Sequence, residues 1–158
     1  MYASIGRMET LTYKAVSIRY PAQWMATDEA DTEARAQDMG TRMSVRLSVL
    51  YELNPQAPVT MDELVTRRTF TLGQNKQLFR VLETKAAQIR GQNAVLLSYA
   101  YVAEPVLSSY QSALPRVVRG AEYLVPHHGA VYLVSFEGDA NTWQEGVIER
   151  MLASIRLH

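Results

Sequence analysis

"RVVRGAEYLVPHHGAVYLVSFEG", residues 116–138, carries the reading on which the architecture turns. It reads as two β-strands folded about Pro126-His127-His128-Gly129, a turn cluster between runs rich in valine, tyrosine and leucine. Successive strand side chains alternate, so in the second strand Tyr132, Val134 and Phe136 oppose Val131 and Leu133. Both faces are apolar. Such a strand belongs at the centre of a sheet covered on both sides, not in a sheet with one wet face.

Outward from this hairpin the same alternation recurs. In "RMSVRLSVLYEL" (42–53), Met43, Val45, Leu47, Val49, Tyr51 and Leu53 fall on one face and Ser44, Arg46, Ser48 and Glu52 on the other. Only Leu50 breaks the pattern, and "NPQAP" (54–58) ends the strand. Thr60 and Glu63 then match a capping box, and Met61, Leu64, Val65 and Leu72 share the face of a helix ending near Gly73. "LFRVLETKAAQIRG" and "QNAVLLSYAYVA" read as strands joined by a turn at Gly91-Gln92-Asn93. "EPVLSSYQSALP" (104–115) is loop-like, with proline at both ends of its span. The final element is a helix with Val147, Ile148, Met151, Leu152 and Ile155 in one stripe, capped by Asn141 or Thr142. Strands, helix, strands, helix predicts an α+β class, an antiparallel sheet covered by helices. No glycine-rich phosphate loop supports a parallel nucleotide-binding alternative.

The chain has 158 residues, enough for one core, so residues 11–158 are expected to form a single domain after an added or flexible segment at 1–10. Sixteen basic and 16 acidic residues cancel, which argues against a nucleic-acid footprint or a basic membrane patch. Cysteine is absent, which excludes disulfides, thiolate metal sites and thiol nucleophiles. No apolar run reaches the roughly 18 residues of a membrane span, and the first residues lack a signal-peptide layout. A cytoplasmic protein and the soluble part of a secreted or lipid-anchored bacterial protein both fit.

"AVSIRYPAQW" (15–24) sets up a strand and stops it with Tyr20-Pro21 and Trp24. Proline removes a ladder donor, and the two aromatic rings are read as structural cover for the sheet. "VSIRYPAQW" also resembles the opening motif of the PsbP-like family, named for the extrinsic PsbP subunit of photosystem II. "VTMDELV", "IRGQNAVLLSY", "GAVYLVSFEG" and "VIERMLASIRL" are similar to later motifs of that family in the same order, from about residue 13 to 157. The resemblance implies an α/β/α sandwich with a mainly antiparallel central sheet flanked by helices. The same fold occurs in a yeast Ran-binding protein and in bacterial lipoproteins and secretion chaperones. It implies no shared catalytic constellation, so no active site is carried over.

Candidate functional residues are few. His127-His128 is read as part of a turn, since adjacent histidines do not converge on one ion, and His158 as a frayed end. The serines at 108, 109 and 112 lack a nucleophile motif, but loops on a rigid scaffold carry binding residues. Ser109, Tyr110 and Gln111 are therefore candidate partner contacts, with Arg67 and Arg68 of "TRRTF" as receivers of an acidic partner. "TDEADTEARAQD" (27–38) lacks a calcium-loop pattern and is read as a solvated connection. No cofactor or metal is expected. The leading expectation is a non-enzymatic accessory domain that docks a protein through one face or the 104–116 loop, without nucleic acid or membrane insertion. The alternative is a small-molecule-binding domain or unrecognised hydrolase using the 104–129 region.

Overall fold

In a computed structural model, described for residues 6–27, 31–103 and 115–158, the strands form two antiparallel sheets. The main one has seven strands in the order β3 (Met25–Thr27), β4 (Glu33–Gln37), β5 (Ser44–Glu52), β9 (Ala130–Asp139), β8 (Arg116–His127), β7 (Gln92–Ala103) and β6 (Gln77–Ile89). The smaller sheet orders β1 (Met8–Tyr13), β2 (Val16–Pro21) and β10 (Arg156–Leu157). Helix α1 spans Met61–Gly73 and α2 spans Glu145–Ala153. Among the described residues, no helix is long and apolar enough to cross a membrane.

The 116–138 stretch behaves as its pattern requires. β9 lies between β5 and β8, and its residues Ala130 to Phe136 are all buried. His128 (φ 44°) and Gly129 (φ 77°) make the two-residue turn. Positive φ at both positions matches the strand twist, as in type I′ hairpins. Arg90 (φ 52°) and Gly91 (φ 77°) repeat this between β6 and β7. That turn precedes the expected Gly91–Asn93, because Gln92 and Asn93 already pair with Ile89 and Gln88 in the ladder.

Alternation divides the core between the two sheet faces. On one, Val45, Leu47, Val134 and Phe136 pack with β2, Trp24 and the α2 residues Ile148 and Met151. On the other, Leu97, Tyr99, Leu124, Val131 and Leu133 pack with Leu64 and Leu72 of α1. Cover is therefore uneven: α2 shares its face with the small sheet, and α1 buries only two residues. Leu50 marks a real irregularity. The β5–β9 register slips between Val49 and Tyr51. Leu50 and Tyr51 consequently pack toward α1 while Val49 joins the opposite core, and Leu53 is exposed.

The aromatic-proline corner is structural. Trp24 donates its backbone N–H to the Pro21 carbonyl (2.9 Å), and Tyr20 and Trp24 are 5% and 6% exposed within the core. Thr60 caps α1 by accepting from the Glu63 N–H at 3.2 Å. The anticipated cap of α2 is corrected: Ala140–Thr142 form a 3₁₀ segment, Thr142 Oγ1 donates to the Thr41 carbonyl, and the helix starts after Gln144 without a side-chain cap. Three terminal and connecting segments are more ordered than their sequences suggest. β1 starts at Met8, inside the segment read as flexible, by pairing with β2. Glu33–Gln37, read as solvated connection, is strand β4, because Ala34 and Ala36 point into the core. His158 is tied down rather than frayed: its N–H reaches the Ala15 carbonyl at 2.7 Å and Ser17 Oγ lies 2.9 Å from its Nε2.

Candidate functional site

The face of the main sheet beyond α1 is polar. Three successive cross-strand rows run over β4, β5 and β9 there: Glu33, Ser48 and Leu133; Arg35, Arg46 and Ser135; Gln37, Ser44 and Glu137. The intervening rows on the opposite face are Ala34, Leu47 and Val134, then Ala36, Val45 and Phe136. β4 and β5 thus each have one core face and one face carrying polar side chains, while β9 stays buried on both.

The charges on this surface are arranged unusually. Arg35 stands directly opposite Arg46 on the neighbouring strand. Like charges in that position oppose sheet formation. Arg46 offsets this with Glu33 at 3.6 Å, and Arg35 bonds only to Gln37 at 3.2 Å among the described residues. Arg42 and Arg116 approach from the strand ends, where both pair with Asp139. Two shallow cavities flank the rows. One of about 140 Å³ is lined by Arg35, Arg42, Ser44, Arg116 and Glu137. The other, about 260 Å³, is lined by Glu33, Arg46, Ser48, Arg68 and Ser135.

A buried polar network anchors the border with α1. Glu122, fully buried in β8, accepts from Nε and Nη2 of Arg68, each at 2.7 Å, and from Ser135 Oγ at 3.2 Å. Burial works against the Arg68 charge, but the bonds to Glu122 more than offset it and raise the guanidinium pKa. Glu137 accepts from the hydroxyls of Tyr99 (2.9 Å) and Tyr101 (2.8 Å). Burial, then the Glu137 charge, pushes both phenols above their ordinary range. They are neutral donors at physiological pH. Tyr99 lies flat across β8 because residue 120 is glycine: a Cβ there would sit 2.2 Å from the ring.

The residues singled out from sequence are dispersed. Ser109, Tyr110 and Gln111 lie outside the described residues. Arg67 is exposed on α1. Arg68 turns inward onto Glu122, with its side chain 17% exposed. A helical face assigned by periodicity could not reveal a buried carboxylate 54 positions along the chain. The functional-looking arginines 35, 42, 46 and 116 were missed. The only signal for two of them was the wet half of each alternating strand.

His127 and His128 stand at the β8–β9 turn with ring centroids 3.9 Å apart, and His127 Nε2 lies 2.8 Å from the His158 carbonyl. Among the described residues no three His, Asp or Glu side chains are grouped to hold a metal ion. An open groove of about 660 Å³ lies on the α2 face, with Arg119, Tyr123, Trp143, Glu145 and Leu152 among its walls. Arg119 stacks over Trp143 at 5.0 Å and is 3.7 Å from Glu145.

The chain has a PsbP-like fold. It superposes on the solution structure of cyanobacterial PsbP (CyanoP) from Synechocystis sp. PCC 6803 with a TM-score of 0.60 and 13% identity, covering 100% of this chain and 98% of that one. A Pseudomonas aeruginosa protein of unknown function gives 0.59 at 15% identity, over 94% and 96% of the two chains. A Bacteroides thetaiotaomicron protein gives 0.57 at 9% identity, over 94% of this chain and 48% of that one. No family model and no curated protein sequence matches, so the likeness rests on the fold.

Proposed function

We propose that this PsbP-like fold, with its layers completed as an α/β/α sandwich, serves as a non-enzymatic accessory domain that docks an acidic segment of a protein partner. The docking surface is the polar sheet face beside α1, with Arg35 and Arg46 at its centre and Arg42 and Arg116 at its rim. The observation that carries this reading is the direct Arg35–Arg46 apposition, a like-charge pair that costs stability in the free domain. An acidic partner turns that cost into attraction and steers encounter over a distance set by ionic strength. A glutamate-rich peptide titrated onto the protein tests the idea. Binding that weakens with salt and disappears in Arg35→Gln/Arg46→Gln, with the cooperative fold retained, supports it. Equal binding by parent and variant refutes it.

A second reading, a small-molecule site, is favoured by the 660 Å³ groove on the α2 face, whose size suits a small ligand. Its test is a fragment screen read by Trp143 fluorescence, with Trp143→Phe as control.

A further inference from the structure

We propose that two copies of the chain pair antiparallel along the outer edge of β6, centred on Thr84, joining their main sheets across a two-fold axis. Among the described residues β6 is the last strand of the main sheet, and it runs 13 residues, mostly exposed. A long open edge is a template for another strand, and proteins that stay monomeric usually shorten or cover it. Here apolar side chains accumulate on it instead: Leu78 is 77% exposed, Leu82 54% and Val81 42%. Two register slips, at Gln77/Arg80 and Val81/Glu83, disturb the first half of β6. From Glu83 to Ile89 the ladder to β7 is regular, so the usable edge starts there.

The symmetry leaves few registers. A two-fold axis normal to the sheet keeps each face on its own side, so paired residues must share a face. The axis must therefore pass beside a residue that meets its own copy. Centring on Glu83 places glutamate against glutamate, and centring on Lys85 places lysine against lysine; both are unfavourable. Centring on Thr84 places Glu83 opposite Lys85 of the other copy twice, both on the face shared with Ser98 and Leu96 of β7. On the opposite face Thr84 meets Thr84. Opposite charges and a threonine pair then coincide in one register. Within one chain Glu83 and Lys85 lie 3.3 Å apart, so both charged groups already stand together at the edge. This inference is independent of the acidic-partner reading, which uses the far side of the sheet.

Sedimentation equilibrium of the full chain, from micromolar to millimolar concentration, tests the pairing. The parent is expected to dimerise. Glu83→Lys and Lys85→Glu each set like charges opposite one another twice and should weaken the dimer about tenfold or more. The combined exchange Glu83→Lys/Lys85→Glu should restore it. Because the chain has no cysteine, Thr84→Cys introduces a single thiol, and a short bis-maleimide should link it to its own copy, while Arg156→Cys should remain unlinked. A monomeric parent overturns the proposal and makes Lys85 and the bulges guards of the edge. A dimer indifferent to the charge changes, or one that the exchange fails to restore, overturns it too.

Discussion

Arg68→Ala should destabilise the protein far more than its place on a surface helix suggests. The substitution removes both guanidinium bonds from Glu122, a fully buried carboxylate, and leaves it only the Ser135 hydroxyl at 3.2 Å. Breaking a buried ion pair from one side typically costs about 3–5 kcal/mol, because the remaining charge has lost its compensation. The apolar anchorage of α1 is of the same order. Leu64 and Leu72 are its two buried side chains, and each contributes roughly 1.5–3 kcal/mol. The clamp is therefore comparable with the apolar contact it reinforces, and α1 should loosen before the sheet does. Urea unfolding would move to lower concentration by roughly 2 M, taking a slope of about 2 kcal/mol per M. Hydrogen exchange should quicken across Met61–Gly73 ahead of β8 and β9. Arg68→Met/Glu122→Leu, which removes both charges and keeps volume, should recover most of the loss. If Arg68→Ala unfolds within about 1 kcal/mol of the parent, the clamp does not hold the helix and the reasoning fails.

Four further outcomes follow from the packing. Trp24→Ala should cost about 3–5 kcal/mol, as expected for truncating a buried tryptophan, and an unchanged denaturation midpoint would remove Trp24 from the core. Gly120→Ala should cost about 1–3 kcal/mol, since its Cβ must displace the Tyr99 ring, and thermal melting measures this directly. Met151→Asp should behave nearly like deletion of residues 144–158, because Met151 is fully buried on the inner face of α2; a cooperative, near-parental melt of the deletion would move this stripe out of the core. Tyr99 and Tyr101 have raised folded pKa values, so their contribution is complete below the unfolded value of about 10 and is lost as pH climbs above it. In an absorbance titration these phenols should ionise together with unfolding, and Glu137→Gln should let them ionise earlier.

Local chemistry was enough to determine much of this protein. Periodicity in 116–138 placed β9 at the sheet centre, because an apolar pattern on both sides has only one stable location. Thr60 and Glu63 located α1, because a capping box acts within one turn of its own helix. The Tyr-Pro corner and its tryptophan announced burial through size alone. Where composition masked the pattern, the sequence misled: alanines 34 and 36 bury little area each, so β4 looked like charged linker until β5 paired with it. Strands β1 and β10 exist because β2 offers both of them an edge, a condition absent from their own residues. The site lay further from view. Arg35 meets Arg46, and Arg68 meets Glu122, only after the chain has folded across many intervening positions. Charge pairing acts through space over a few ångströms, and only the tertiary register decides which arginine finds a carboxylate and which is left facing solvent.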